Sequence, residues 1–308
     1  MLEEWGLGAQ HMQVSRQSLD ARAILAVVTL CLLWGLSQVS IRVANAGVAP
    51  IFQGAARSTI SASLVALWAW SRGLPLIHRD RTLANGVAIG VLFGTEFFFL
   101  YLGLSYTTAS HGVLLLYTAP FFVALGAHWL LPAEPLTARK LAGLTLAFAG
   151  IAVTIADNLG RPTGTQMLGD TYCLIAGFLW AVTSLYLKGV VRASMSPSQM
   201  LFYQLGFSAI QLSLMSLAWE PQPIGTLTPL VLGSIAYQGI VVAFASYLVW
   251  FWLIREYPVS NVTSFTFLTP IFGVVLGGLL LSEPITGKVA VGAGLVSGGM
   301  LLVNWPAR

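Results

Sequence analysis

The chain has 308 residues, of which 56% are hydrophobic and only 8% are Asp, Glu, Lys or Arg. A soluble domain is about 45–50% apolar and roughly 25% charged, so this chain lacks the polar side chains needed to cover itself in water. The mean hydropathy of +0.80 likewise argues against a soluble enzyme, a disordered chain or a secreted disulfide scaffold, and the two cysteines, both in apolar stretches, are too few for a disulfide framework. The composition predicts an integral membrane protein.

The apolar stretches have the length of membrane-spanning helices. A bilayer core about 30 Å thick requires roughly 20 apolar residues per helix. The stretches do not alternate as the strands of an outer-membrane barrel do, and prolines and glycines fall between them. We therefore expect an all-α integral membrane protein of about ten transmembrane helices. The predicted spans are 22–44, 50–71, 82–105, 108–131, 136–156, 169–190, 197–219, 227–253, 259–281 and 285–304.

The two ends of the chain are predicted to lie in the cytoplasm. Residues 1–21 have no apolar core followed by a small-residue cleavage site, so they are interpreted as a polar tail and not as a signal peptide. With ten spans, both ends share a side, and 11 of the 15 Lys and Arg residues fall on that side. Because short cytoplasmic loops are enriched in Lys and Arg, the tail and residues 305–308 are placed in the cytoplasm of a bacterial inner membrane.

The sequence repeats itself at a displacement of 146 to 150 residues. Each copy contains five spans, and because five is odd, the second copy must be inserted upside down relative to the first. Inverted repeats are typical of secondary transporters, in which the substrate site lies near the midplane between the halves. The alternative is a duplication retained only for packing. The predicted units are a first repeat, 22–156, a periplasmic linker, 157–168, and a second repeat, 169–304. The matches include Leu33-Trp34 with Leu179-Trp180, Pro120 with Pro270, and EPLT at 134–137 with EPIT at 283–286.

Several of these motifs resemble a known family. Trp34-Gly35, Arg57, the sequence LLLYTAP at 114–120 and the EPLT turn resemble the drug/metabolite transporter superfamily, in its ten-helix EamA-type branch. The resemblance covers essentially residues 22–304 and implies a fold of two inverted five-helix repeats and a transport function. It says little about the substrate. The length and the many aromatic residues also resemble bacterial exporters of aromatic and other neutral amino acids.

Two charged residues fall inside predicted spans. Arg57 lies about six residues into its span, which is roughly 9 Å along the helix, and Glu96 lies at a comparable depth in the next span. A charge in the hydrocarbon region is costly and normally faces a partner or a water-filled cavity. We expect the pair to contact a zwitterionic substrate or to gate its route, and Glu96 is also a candidate proton relay. The alternative for Arg57 is that its side chain extends to the interface.

Paired aromatic residues and prolines are further candidates. Trp34 and Trp180 are repeat mates near mid-membrane, where they could line a substrate cavity and stack on a planar group or attract an ammonium. Ordinary core packing is the alternative. Tyr101 and Tyr117 are secondary candidates on the same grounds.

Pro120 and Pro270 each remove a backbone hydrogen bond within a span, so they are candidate hinges for alternating access. His111 opens the fourth span, and its titration near neutral pH makes it a second candidate proton relay. The alternative for His111 is a satisfied polar residue at the membrane interface.

Other classes of protein fit the sequence less well. The chain has four histidines, no HExxH motif and no P-loop, which argues against a membrane-embedded enzyme and against ATP-driven transport. No cofactor and no metal site are expected. An antiporter of nucleotide sugars or organic phosphates would need more cationic side chains than Arg57, whereas an exporter of lipophilic cations could use Glu96 and the aromatic residues. The expected partners are a small-molecule substrate and the lipid bilayer, without nucleic acid; we expect a monomer, with a dimer left open.

Overall fold

The computed structural model describes residues 19–77, 81–130, 137–159, 164–187, 195–257, 262 and 265–304. Nearly all of these residues are helical, and the β-pairing among them is a single isolated bridge. Most of the predicted N-terminal tail and the C-terminal residues 305–308 lie outside the described residues.

The described residues of the first half form six helices. Their starts are set by local chemistry: the Asp20 carboxylate accepts a hydrogen bond from the Ala23 amide at 2.9 Å, and Pro50 begins the second helix where its missing N–H costs nothing. The helices are α1 (Ala21–Ala44), α2 (Pro50–Ser71), α3 (Arg81–Tyr106), α4 (Ala109–Leu116), α5 (Ala119–Leu130) and α6 (Ala138–Leu159).

The second half follows the same order. Ser196 and Gln199 form a capping box at the start of α8, in which each side chain accepts a hydrogen bond from the other residue's backbone. The helices are α7 (Gly164–Tyr186), α8 (Pro197–Trp219), α9 (Pro229–Ala236), a π-helix (Tyr237–Ser246), α10 (Tyr247–Glu256), a 3₁₀ turn (Phe265–Phe267), α11 (Leu268–Leu281) and α12 (Gly287–Asn304).

Together these helices make the ten spans predicted from the sequence. The helices α4 and α5 form one interrupted span, and α9, the π-helix and α10 form another. Within the described residues, six spans are long and apolar enough to cross a bilayer by length and composition, and α11 and α12 are shorter apolar helices. The predicted all-α membrane fold is therefore confirmed.

The connection between the halves is shorter than the predicted linker. Residues 157–159 belong to the end of α6 and residues 164–168 to the start of α7, which leaves 160–163 between the two helices. Polar residues such as Thr165 and Gln166 marked the end of the apolar stretch. Helices extend beyond the hydrocarbon core, however, because their backbone hydrogen bonds are satisfied in either environment.

The contacts between the two halves are arranged with approximate two-fold symmetry. The second span of each half contacts the other, α2 with α8, and so does the last, α6 with α12. The remaining contacts occur in corresponding pairs: α1 packs on α11 as α7 packs on the α4–α5 span, and α3 packs on α8 as α2 packs on the π-helix. Most of the interior is therefore an interface between the halves.

Glycines bring α6 and α12 very close together. A Cβ atom at Gly299 would lie 2.5 Å from the carbonyl oxygen of Gly143, and one at Gly150 would lie 2.9 Å from the carbonyl oxygen of Gly292. Small residues are the usual means by which membrane helices approach at backbone distance.

The span formed by α4 and α5 is broken at Tyr117 and Thr118, immediately before Pro120. The Thr118 hydroxyl donates to the carbonyl of Leu115 at 2.6 Å, which satisfies one of the groups that the break exposes. The broken turn packs on Gly177 of α7, where a Cβ would lie 2.8 Å from the Leu115 carbonyl oxygen. In the second half a 3₁₀ turn precedes Pro270 in the same way. Both prolines thus lie just after a helix irregularity.

The close approach at Gly177 generates a stability prediction. We expect Gly177→Ala to cost on the order of 1–3 kcal/mol, because the added methyl group must displace backbone carbonyls. Gly206→Ala on α8 is the control, since a Cβ added there would meet no atom within 4 Å, and it should leave the protein unchanged or stabilise it by about 0.5–1 kcal/mol. The measurement is the thermal unfolding midpoint in detergent. Equal shifts for the two variants would contradict the close packing at Gly177.

Candidate functional site

Arg57 lies inside the bundle and does not extend to its surface. Its side chain is 2% exposed, and its guanidinium carbon lies 4.0 Å from the centre of the Phe97 ring and 5.8 Å from that of Phe93. Both rings project from α3 and are spaced one helical turn apart. A cation over an aromatic face is attracted by the ring quadrupole, and more strongly when water is excluded. The interfacial alternative for Arg57 is therefore wrong.

Glu96 lies on α3 between these two rings in sequence and is 4% exposed. It is within electrostatic range of Arg57, yet among the described residues no direct ion pair joins the two side chains. Arg57 Nη1 and Glu96 Oε2 are both buried without a hydrogen-bond partner. Tyr247 of α10 is close to both charges. The structure thus brings together an arginine and a glutamate that each keep one polar atom unpaired.

A chain of buried polar side chains begins beside this pair. The Tyr101 hydroxyl donates to Gln238 Oε1 at 2.6 Å, and Gln238 Nε2 donates to Gln53 Oε1 at 2.9 Å. All three residues are completely buried. They come from α3, the π-helix and α2, so the chain joins both halves of the protein.

The chain continues from Gln53 to the end of α1. Gln53 Nε2 donates to Asn45 Oδ1 at 2.9 Å and to the Ile41 carbonyl at 3.3 Å. Asn45 and Arg42 both donate to the carbonyl of Leu104, at 3.3 and 3.1 Å. Sequence reasoning did not identify these amides. The available signal was the position of Gln53 four residues before Arg57, which places both on one face of α2.

The π-helix lies against α2 and α1. Ser61, one turn after Arg57, donates to the carbonyl of Gly239 at 2.9 Å, and the Tyr237 hydroxyl donates to the carbonyl of Leu33 at 2.8 Å. A π-helix is rare and is frequently found at functional sites. No pattern in the sequence predicted it.

The two predicted tryptophans lie in separate clusters. Trp34 is half-buried, donates its indole N–H to Ser246 at 2.9 Å and packs edge-on against Trp250 at 5.3 Å. Trp180 is also half-buried and packs edge-on against Tyr117 at 5.3 Å. Each tryptophan therefore contacts an aromatic partner near the interface between halves, but the structure does not bring the two into one cluster.

His111 is part of a buried polar group at the start of α4. Its Nδ1 lies 3.1 and 3.2 Å from the two carboxylate oxygens of Asp170 on α7. The Thr107 hydroxyl donates to Asp170 Oδ1 at 2.5 Å, and all three residues are 2% exposed. His111 is thus buried, and its ring nitrogen lies within hydrogen-bond distance of the Asp170 carboxylate. No group of three His, Cys, Asp or Glu residues that could hold a metal occurs in the described part of the chain.

The connections at one end of the bundle tie the halves together. We call this end the capped face; in the predicted topology it is periplasmic. Val48 and Ile224 form an antiparallel bridge, and the Gly225 amide donates to the Gly47 carbonyl at 2.9 Å. A shallow depression of about 340 Å³ lies beside this bridge. The described connections that form the capped face are 45–49, 107–108, 220–228 and 282–286.

A glutamate caps the start of α2 on this face. The Glu220 carboxylate accepts hydrogen bonds from the amides of Ile51 and Phe52, both at 2.8 Å, and from the Ser216 hydroxyl at 2.7 Å. A carboxylate at a helix N-terminus satisfies free amides and interacts favourably with the helix dipole. Here it comes from the opposite half of the chain.

Glu283 caps the start of α4 in the same way. It accepts hydrogen bonds from the Ala109 amide at 2.7 Å, the Ser110 amide at 3.0 Å and the Ser110 hydroxyl at 2.8 Å. Glu283 opens the second copy of the repeated motif, EPIT at 283–286. The motif thus supplies the carboxylate that holds the start of a broken span in the other half.

Known proteins are similar to this chain in sequence and in fold. The profile of the EamA-like transporter family matches the chain twice, at residues 21–156 and 167–305. A protein of Archaeoglobus fulgidus called an uncharacterized transporter is 26% identical over 93% of this chain and 98% of its own length. A protein of Escherichia coli K12 called "Probable amino-acid metabolite efflux pump" is 28% identical over 91% of this chain and 92% of its own. A solved crystal structure covers 94% of this chain and 98% of its own with a TM-score of 0.67; at 21% identity this likeness concerns the fold alone.

The chain of amides generates a second prediction. Gln53→Leu leaves donors and acceptors of Gln238 and Asn45 unpaired in the interior, so we expect a loss of about 1–3 kcal/mol of stability. The double variant with Gln238→Leu should lose less than the sum of the single losses, because it removes both partners of one bond. Thermal unfolding in detergent measures each loss. Gln222→Leu, at an exposed position on the capped face, is the control; additive losses would show that the amides are not coupled.

Proposed function

Because the chain belongs to the EamA-like transporter family, we propose that it is a secondary transporter that exports small organic metabolites, with neutral and aromatic amino acids as the first substrate class. Relatives in Escherichia coli and Salmonella typhimurium, each 28% identical to this chain, are named "Probable amino-acid metabolite efflux pump". These names support the choice of substrate class.

The observation that carries the proposal is the buried pair Arg57 and Glu96, each with an unpaired polar atom. An amino acid carries a carboxylate and an ammonium close together. The carboxylate would bind Arg57, whose planar guanidinium suits it, and the ammonium would bind Glu96. The rings of Phe93 and Phe97 supply an apolar surface on which an aromatic side chain can pack.

We propose an alternating-access mechanism in which the halves move against each other around this site. Trp34 and Trp180 would line the route on either side, since both are only half-buried near the interface between halves. Pro120 and Pro270 would act as hinges, because each follows an irregular turn that interrupts its span. A single chain contains both halves, so we expect a monomer to transport.

A second candidate substrate class is the lipophilic cation. The observation that favours it is Glu96, a buried carboxylate that keeps one oxygen unpaired and has Tyr247 close to it. The buried cation Arg57 opposes this class, because it would repel a cationic substrate. The two classes therefore make opposite demands on Arg57.

We expect substrate binding to depend on both charges. Arg57→Gln and Glu96→Gln should each weaken the binding of a neutral amino acid by about 10- to 150-fold, since each removes a charge-assisted hydrogen bond of about 1.5–3 kcal/mol. The measurement is counterflow of labelled phenylalanine in proteoliposomes, which needs no ion gradient. The expected result is that half-maximal counterflow requires about a 10- to 150-fold higher phenylalanine concentration.

Arg72→Gln, at the exposed end of the same helix, is the matched control and should retain counterflow. A native protein without counterflow of any amino acid would overturn the substrate class. Transport of a lipophilic cation that improves in Arg57→Gln would establish the second candidate instead.

The proposed location is the bacterial inner membrane with both termini in the cytoplasm. In the predicted topology, 11 of the 15 Lys and Arg residues are on the side of the termini, and the capped face is on the opposite side. A fluorescent protein fused after Arg308 should therefore fold and fluoresce, whereas alkaline phosphatase at the same position should be inactive. Phosphatase fused within 220–228 should be active. The reverse pattern would show that the topology is inverted.

A further inference from the structure

Polar side chains form a continuous line between Arg57 and the capped face. Gln53 lies one turn nearer to that face than Arg57, about 6 Å along α2. Tyr101 lies one turn nearer to it than Phe97, the ring that covers Arg57, and the two aromatic rings are 5.9 Å apart. We call this line the polar chain. Its members, joined in this order by hydrogen bonds, are Tyr101, Gln238, Gln53 and Asn45.

The outer end of the polar chain reaches the surface between the halves. Asn45 follows α1 and lines the depression on the capped face, together with Ser105 of the first half and Gln222 of the second. The polar chain therefore leads from the proposed substrate site to a depression that both halves line.

Gln238 is the member of the polar chain that comes from the second half. Its side-chain oxygen accepts a hydrogen bond from Tyr101 at 2.6 Å, and its side-chain nitrogen donates to Gln53 at 2.9 Å. Both partners belong to the first half, on α3 and α2. A movement that separates the halves along this line must break both bonds, whereas the bond between Gln53 and Asn45 stays within the first half.

Backbone hydrogen bonds join the halves at the outer end of the same line. The Ala49 amide donates to the Pro223 carbonyl and the Gly225 amide to the Gly47 carbonyl, both at 2.9 Å. A Cβ at Gly47 would collide with the carbonyl oxygen of Thr226. The line is thus closed twice on this side, by Gln238 in the interior and by the connections at the surface.

Stability alone does not account for amide side chains in this interior. Replacing both partners of a buried hydrogen bond by apolar groups of the same shape can be nearly neutral. An apolar lining, however, is a barrier to a zwitterion, because its charges lose their hydration without replacement. Gln and Asn each carry donors and an acceptor. Their side chains can therefore bind the carboxylate or the ammonium of a zwitterion without adding a net charge that would retain it.

The repeated sequence supplies the bridging amide on one side only. The displacements of 146 to 150 that align the halves place Gln238 opposite residues 88–92, which are Ala, Ile, Gly, Val and Leu. All five side chains lack polar atoms. The first half consequently has no amide at the position that would close the opposite face in the same way.

We propose that the polar chain is the closed outer part of the substrate route and that Gln238 is its gate, the residue whose movement opens and closes it. The choice of a zwitterion as the substrate rests on the proposed function. When the halves separate at the capped face, Gln238 leaves Tyr101 and Gln53, and the freed polar groups bind the zwitterion on its way from Arg57 to the depression. When the halves close, Gln238 pairs with both residues again.

The first test needs no substrate. Hydrogen exchange at the Ala49 and Gly225 amides, measured by mass spectrometry on peptides covering 45–49 and 220–228, reports opening of the capped face, because both amides are bonded across the halves. We expect Gln238→Leu to lower their protection at least about fivefold, the lower end of typical coupling between two sites.

Gln211→Leu is the matched control for this test. It removes another hydrogen bond between the halves, the donation to Thr95 at 3.0 Å, which lies outside the polar chain. Unchanged protection in Gln238→Leu, or an equal loss of protection in Gln211→Leu, would overturn the gate.

The second test locks the gate with two cysteines. Gln53→Cys with Gln238→Cys places thiols in different halves, whereas Gln53→Cys with Asn45→Cys places both in the first half; each pair replaces a hydrogen bond of 2.9 Å. Counterflow of labelled phenylalanine in proteoliposomes is compared before and after treatment of the same sample with a short bifunctional thiol reagent. Cross-linking between the halves should abolish counterflow until a reductant restores it, and cross-linking within the first half should cause no further change. The native protein, whose cysteines are both buried, gives the background.

Cross-linking between the halves should also raise the protection of 45–49 and 220–228, which keeps the gate testable if Gln238→Leu does not fold. Counterflow that persists in the locked pair, or an equal loss in the pair within the first half, would refute gating by Gln238. If the native protein shows no amino-acid counterflow but the exchange results are as expected, the proposed substrate fails and the gate stands.

Discussion

A guanidinium group carries five N–H donors and a charge that it does not lose, so enclosing it in a helix bundle constrains every neighbouring element. Arg57 is enclosed in this way, and the face of α2 on which it lies also carries Gln53 and Ser61, each one turn away. These two residues bind the π-helix through Gln238 and the Gly239 backbone. The opposite side of the guanidinium is covered by aromatic rings of α3. One polar stripe on α2 therefore fixes how α3 and the π-helix are placed, and the charge pair with Glu96 follows from that placement.

The spans could be predicted from sequence because they depend on length and hydropathy alone, and prolines mark starts such as Pro50 and Pro197. Contacts between segments distant in the chain could not be predicted, because no local sequence pattern indicates which carboxylate contacts which helix. Glu283 could be recognised only as part of the repeated motif and Glu220 not at all, although both cap helices in the other half. The burial of Arg57 could not be predicted for the same reason. A long side chain at that depth can extend to the interface or be enclosed in the bundle, and its burial depends on the residues of α3 that pack against it. The contact of Asp170 with His111 could not be predicted from the sequence, because the two residues lie 59 positions apart in the chain.

The fold is symmetric while its chemistry is not. Corresponding helices pack in corresponding ways, although the third span is a regular α-helix in the first half and contains a π-helix in the second. The charged pair Arg57 and Glu96 lies on α2 and α3 of the first half, whereas Gln238 of the second half contributes an amide to the same interior. The two copies of a duplicated scaffold thus contribute different side chains to one shared interior.

The glycine contact between α6 and α12 has a consequence for biosynthesis. Gly150 packs against Gly292, which the ribosome adds 142 residues later. At a synthesis rate of about 5–20 residues per second, the glycine face of α6 stays without its partner for on the order of 10 s. During that time the first half is inserted but unfinished, with a strip of exposed backbone that other helices in the membrane could occupy. The final helix therefore completes the first half as well as the second, and a chain that ends before α12 leaves both halves incomplete.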